Sequence, residues 1–231
     1  MKSNLPSQEQ KNISDITNQS GAPETLYNLS EYDKSMIEKY QNQIKDGKLT
    51  IYDSLDLKSL DFIRLLNLNK LVLKQCQQII PKLESSTIKK LEVTDCKIYS
   101  VKDFQLKNLE VLDIWNNSEY LKSNTLVWEI LQFQKLKKLL LYYWKYDLSS
   151  LSQMTRLTKL GLIKCNLHST EALRPLINLE ELCLNCNEEI DILTLQYLSN
   201  LTYLSSIQCN LVKQILGCSQ TIVETERIIY I

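Results

Sequence analysis

The stretch "LTKLGLIKCNL", Leu157–Leu167, decides the architecture, because its form returns along most of the chain. Leu160 and Leu162 stand two apart, so on a strand both point to one side while Gly161 and Ile163 point to the other. The segment holds too few apolar side chains to close a core alone. It must stack on copies of itself.

Those copies exist. Before it come "LNKLVLKQCQQI" (68–79), "IKKLEVTDCKI" (88–98), "LEVLDIWNNSEY" (109–120) and "LKKLLLYYWKY" (136–146). After it come "LEELCLNCNEEI" (179–190) and "LTYLSSIQCNL" (201–211), and "KLTIYDSL" (48–55) fits as a truncated first copy. The first strand leucines, Leu49, Leu71, Leu91, Leu112, Leu139, Leu160, Leu182 and Leu204, are separated by 22, 20, 21, 27, 21, 22 and 22 residues. Fixed periods of this length are the mark of a repeat architecture.

The shared form, L-x-x-L-x-L-x-x-(N/C)-x-L, resembles the leucine-rich repeat family from about Lys48 to Leu211. A period near 22 is that of its short class, found in internalin-like and phosphatase-regulatory solenoids. The resemblance implies an α/β repeat solenoid, right-handed and curved. A parallel sheet of about eight strands should line its concave side, with mostly 3₁₀ or extended segments on the convex side. It also implies a ladder of inward side chains capping backbone groups of the turns: Cys76, Cys96, Asn117, Cys165, Asn187 and Cys209. An amide and a thiol can both do this, the thiol more weakly. Trp144 occupies the same position with far more bulk, so its turn is expected to depart from its neighbours. Leu106, Leu109, Leu151, Leu157, Leu176, Leu179, Leu198 and Leu201 should fill the interior from the return segments.

Outside the repeats, residues 1–31 are polar and aperiodic and read as a disordered tail. Residues 32–47 read as a capping helix with Asp33 as N-cap, an apolar stripe of Met36, Ile37, Tyr40 and Ile44, and Gly47 at C′. Residues 212–231 read as a half-repeat or terminal strand, with Ile229 and Ile231 inward. Its uncovered edge leaves room for pairing or oligomer formation.

Composition narrows the function. The chain carries 27 basic and 27 acidic side chains, so it lacks the basic footprint of general nucleic-acid binding. It has no apolar run long enough to span a membrane, and its start lacks an apolar signal segment. The expected location is therefore cytoplasmic, with the seven cysteines reduced. "CLNC", Cys183–Cys186, lies along a strand rather than at the helix N-terminus a redox pair needs, and zinc would need further ligands. His168 is the single histidine and no phosphate-cradling motif occurs. No cofactor, metal or catalytic role is expected.

Function then falls to the side chains that the core does not require. One column across the strands reads Thr50, Val72, Glu92, Asp113, Leu140, Gly161, Cys183, Ser205. The next reads Tyr52, Lys74, Thr94, Trp115, Tyr142, Ile163, Asn185, Ile207, and a third includes Gln75, Asp95, Asn116, Tyr143, Lys164 and Cys186. Trp115, Tyr142, Tyr143, Ile163 and Leu140 form an aromatic and apolar patch rimmed by Asp113, Asn116, Lys164 and Asn185. Such patches are typical of binding hot spots. A flanking column, Lys48, Lys70, Lys90, Lys138 and Lys159, is broken by Val111. The long fourth step implies an extra loop or short helix near residues 118–126. The expected function is a non-catalytic scaffold binding a partner protein on its concave face. A regulatory subunit of a cytosolic enzyme such as a phosphatase, or a surface adhesion module of internalin type, are the alternatives.

Overall fold

The computed structural model describes residues 30–52, 59–76, 82–98, 100–115, 126–144, 147–187, 189–191, 193–207, 210–211 and 222–224. The polar tail through residue 29, Asn116, Asn117, the residues of the long fourth repeat through 125, Cys209 and the segment 225–231 lie outside them.

The first element is helix α1 (Glu31–Gln41). Strands β1 (Lys48–Tyr52), β2 (Lys70–Lys74), β3 (Leu83–Glu84), β4 (Lys90–Thr94), β5 (Phe104–Gln105) and β6 (Val111–Trp115) follow. After a short helix α2 (Leu126–Ile130) come β7 (Lys138–Tyr142), β8 (Lys159–Ile163), β9 (Glu181–Cys183) and β10 (Glu189–Ile190). The last are β11 (Tyr203–Ser205), β12 (Asn210–Leu211) and β13 (Ile222–Glu224). Nine of these form one sheet in the order β1-β2-β4-β6-β7-β8-β9-β11-β13, every pair parallel. This sheet is the concave face of a right-handed leucine-rich repeat solenoid.

The register follows the leucine repeat. Leu49, Leu71, Leu91, Leu112, Leu139, Leu160, Leu182 and Leu204 are aligned across the strands. All are buried, as are the eight return leucines from Leu106 to Leu201. A slip of one residue would turn every such pair to solvent, which is why the register is strongly specified. On the convex side, 3₁₀ turns at Asp61–Leu65, Ser149–Gln153, Glu171–Leu173 and Leu193–Tyr197 press Phe62, Ile63, Leu151, Leu173 and Leu195 inward. Two-residue strands pair there as well, β3 with β5 and β10 with β12.

The long fourth repeat holds the one α-helix of the described convex segments, α2, which buries Val127 and Ile130. Its Glu129 carboxylate accepts from Ser100 Oγ at 2.8 Å and from the Val101 amide at 2.6 Å, tying the helix to the preceding turn.

Several expectations change at the ends. The N-cap of α1 is Ser30, whose Oγ accepts from the Asp33 amide at 3.1 Å. Asp33 is thus the third helical residue rather than the cap, placed where its charge suits the helix N-terminus. The helix ends at Gln41 with Asn42 as C-cap, so Gly47 is not its C′ residue. Gly47 has φ +69° in the turn before β1, and its carbonyl accepts from the Asn69 and Lys70 amides. Met36, Ile37 and Tyr40 are buried on the first rung, where Tyr40 stacks on Phe62 at 5.7 Å. At the other end β13 pairs with β11, earlier in the chain than Ile229 and Ile231.

The turns that leave the strands share two devices. Gln75, Asp95, Tyr143, Lys164 and Cys186 all have φ between 52° and 61°, a left-handed conformation costing about 1–2 kcal/mol for a non-glycine residue. Each donates its amide to a carbonyl of the next rung: Thr94, Trp115, Ile163, Asn185 and Ile207 respectively. The ladder residue follows. The Cys76 amide donates to Cys96 Sγ at 3.4 Å, and the Cys165 amide donates to Asn187 Oδ1 at 2.8 Å. Burial pushes the Cys165 thiol up to about 12, so it stays protonated and donates to the Leu141 and Ile163 carbonyls. The turn at Trp144 does not depart in its entry, since Tyr143 has the same left-handed φ as its counterparts. The indole is taken inside the core, 1% exposed.

Candidate functional site

Alternation on β6, β7 and β8 sends Leu112, Ile114, Leu139, Leu141, Leu160 and Leu162 into the core. It leaves Asp113, Trp115, Leu140, Tyr142 and Ile163 on the concave side. Trp115 and Tyr142 are register partners, and their rings stack at 4.6 Å with planes 10° apart. Tyr143 lies tilted beside Trp115, ring centroids 6.3 Å apart. The Lys164 ammonium sits 4.8 Å from the Tyr143 centroid, within the range of a cation–π contact. Trp115 remains 39% exposed, so the stack covers part of the indole and leaves part to solvent.

The middle column is more enclosed than the alternation implies. Val72 is only 2% exposed, and Gly161 and Ser205 are also buried. Flanking columns on a curved sheet crowd the one between them. Leu140 shows the consequence: a Cβ built on Gly161 would come 2.5 Å from Leu140 Cδ2. Glycine is what lets the leucine side chain lie flat over the next rung.

Asn185 has a structural task. Its Oδ1 accepts from Ser205 Oγ at 2.9 Å and from the Ile207 amide at 2.8 Å, so its carbonyl is engaged within the sheet. Asn116 lies outside the described residues. Cys183 ends β9 and Cys186 occupies the left-handed turn, and among the described residues no group of three potential metal ligands occurs.

The lysine column is aligned as the repeat requires, Lys48, Lys70, Lys90, Val111, Lys138, Lys159 and Glu181 being successive partners. Two members are paired, Lys70 with Glu92 and Lys159 with Glu181.

Asp113 is the electrostatic exception. Burial, then repulsion from Glu92, pushes its carboxyl up to about 6, with Lys138 and Lys70 opposing more weakly. The register explains this: Val111 and Trp115 are its same-face neighbours along β6, Leu140 is its partner on β7, and Glu92 is its partner on β4. Three sides are apolar and the fourth is anionic. Because the folded value lies above the ordinary one, the penalty is absent below about pH 4 and full above about pH 6. Asp113→Asn is therefore expected to raise stability at pH 7.5 by about 1–2 kcal/mol after allowance for solvent screening. That gain should vanish at pH 3.5. Urea unfolding at the two pH values checks this, and a gain independent of pH would show that the charge is not the cause.

Sequence reasoning places Trp115 and Tyr142 on one face of the sheet but misses two things. Asn108, Asn178 and Asn200 each donate a side-chain amide to a carbonyl of the preceding repeat, those of Ser86, Thr155 and Ile177. The recurring Asn-Leu dipeptide before the strands is their signal. The left-handed column has no such signal, because its members share no side-chain chemistry.

No protein-family model and no curated protein matches the chain. Among solved structures it is similar to internalin C2 of Listeria monocytogenes, at 20% identity and a TM-score of 0.63, over 78% of this chain and 80% of that one. An internalin F of the same species aligns at 16% identity and a TM-score of 0.48, over 74% of this chain and 58% of that one. Human 5T4, trophoblast glycoprotein, aligns at 16% identity and a TM-score of 0.47, over 71% and 77%. With its register and its likeness to internalin C2, the chain has a leucine-rich repeat fold built from short repeats.

Proposed function

We propose that the chain is an interaction module that binds another protein on the concave sheet, centred on Trp115 and Tyr142. The observation that carries this reading is the stacked pair itself, two large aromatic side chains on the face that the core does not use. Solenoids present extended concave surfaces suited to binding, and clustered Trp and Tyr side chains with polar rims are where binding energy concentrates. Leu140, Tyr143 and Ile163 widen the patch, and Asp113 and Lys164 border it. The patch is held by rigid strands, so little ordering is required when a partner docks.

Affinity capture from the source cell tests this, with wild-type chain and Trp115→Ala/Tyr142→Ala as paired baits. A protein captured by the first and at least about 30-fold depleted from the second is the expected result, in line with two hot-spot truncations. An identical captured set overturns the reading.

A further inference from the structure

Asp113 is a carboxylate on the concave sheet that takes part in none of the ion pairs among the described residues. Among the described residues no ion pair or hydrogen bond to its side chain is found within the usual distances, although lysines line the neighbouring column. The break in that column supplies the reason. Val111 stands where β2, β4, β7 and β8 have lysine, and Lys70, the lysine nearest to Glu92, is already paired with it. The neighbouring acid is satisfied and Asp113 is not.

The rings complete the picture. Trp115 lies between Thr94 on β4 and Tyr142 on β7. Tyr142 covers one face of the indole, so the other face is turned toward the small threonine. Glu92 and Thr94 on one strand, with Asp113 and Trp115 on the next, therefore frame a site about 5 Å by 7 Å. Two carboxylates lie on one side of it and the indole face away from Tyr142 on the other. A planar cation fits that frame on both counts: it pairs side-on with a carboxylate and stacks on an aromatic ring. Guanidinium does this better than ammonium, because it is flat and more weakly hydrated.

Resting on the reading of the concave sheet as a protein-binding face, we infer that the bound partner segment inserts an arginine here, stacked on Trp115 and paired with Asp113. The apolar residues beside that arginine lie over Tyr142, Leu140 and Ile163. An acid outside every ion pair among the described residues is thereby paired in the complex, and its charge contributes to binding rather than to folding. Glu92, Lys70, Lys138 and Tyr142 are the other titratable groups facing Asp113, and none of them needs to move.

A random twelve-residue peptide library panned against the full chain tests the inference. Expected is enrichment of peptides with one fixed arginine beside an apolar residue. Their affinity should fall about 10- to 100-fold on Asp113→Asn, as for loss of a charge-assisted contact, and similarly on Trp115→Ala. Peptides with that arginine changed to lysine should bind measurably less well, and with glutamate should bind Asp113→Lys better than wild type. Enriched peptides that lose binding on Trp115→Ala but lack arginine, or ignore Asp113→Asn, overturn the arginine site and leave the binding face standing. Peptides indifferent to both substitutions, or no enrichment at all, overturn both. Circular dichroism and the thermal midpoint of each variant establish that the fold is retained.

Discussion

Trp144→Ala is expected to lose about 3–5 kcal/mol of folding stability, the loss typical of a fully buried large aromatic. Trp144 heads the fully buried side chains by volume and stands at a position where neighbouring rungs have cysteine or asparagine. The core at this rung has been built around an indole, so an alanine leaves a cavity that parallel strands on both sides cannot close. Trp144→Asn, although it restores the residue type of the ladder, should be nearly as damaging, because the volume remains empty. Urea denaturation followed by far-UV circular dichroism gives the value. A loss under about 1 kcal/mol would show that the rung collapses onto the gap.

Asn187→Ala is the second large effect, and its cause is polar rather than volumetric. Asn187 is buried. Its Oδ1 accepts from the Cys165 and Leu167 amides at 2.8 and 3.2 Å, and its Nδ2 donates to the Leu162 and Leu184 carbonyls, both at 2.7 Å. Truncation leaves the Cys165 and Leu167 amides and the Leu162 and Leu184 carbonyls without this partner, at a cost of about 3–5 kcal/mol. Asn187→Cys should cost roughly half as much, since a thiol can replace one acceptor and one donor but weakly. The same denaturation experiment separates the two variants. Equal losses would show that side-chain volume, not hydrogen bonding, sets the ladder.

The strands were legible in the sequence because a leucine pair two residues apart, repeated at a nearly constant period, admits one alignment. The ladder was legible as a recurring Cys or Asn five residues after the first strand leucine. What did not show were properties created by neighbouring rungs. The left-handed φ of Tyr143 is set by a hydrogen bond to Ile163, and nothing about tyrosine predicts it. Ser30 rather than Asp33 caps α1, its Oγ accepting from the Asp33 amide and donating to the Asp33 carboxylate, because the helix starts at Glu31, before the apolar stripe begins. In the candidate site, the alternation places Trp115 and Tyr142 on one face. It does not reveal that Asn185 is engaged by the next rung. Nor does it reveal that Glu92 pairs with Lys70.

On the proposed reading, Trp115 and Tyr142 are placed for a partner and not for the fold. The most direct measurement is the stability of Trp115→Ala/Tyr142→Ala beside that of Leu141→Ala, its neighbour on the same strand with the opposite orientation. Leu141→Ala should cost about 2–5 kcal/mol. The double aromatic variant should cost less, because the stacked pair adds only about 0.5–1.5 kcal/mol beyond area burial and the rings keep part of their surface in solvent, Trp115 being 39% exposed. If the double variant is destabilised as much as Leu141→Ala, the rings are part of the structural core and the binding face loses its basis.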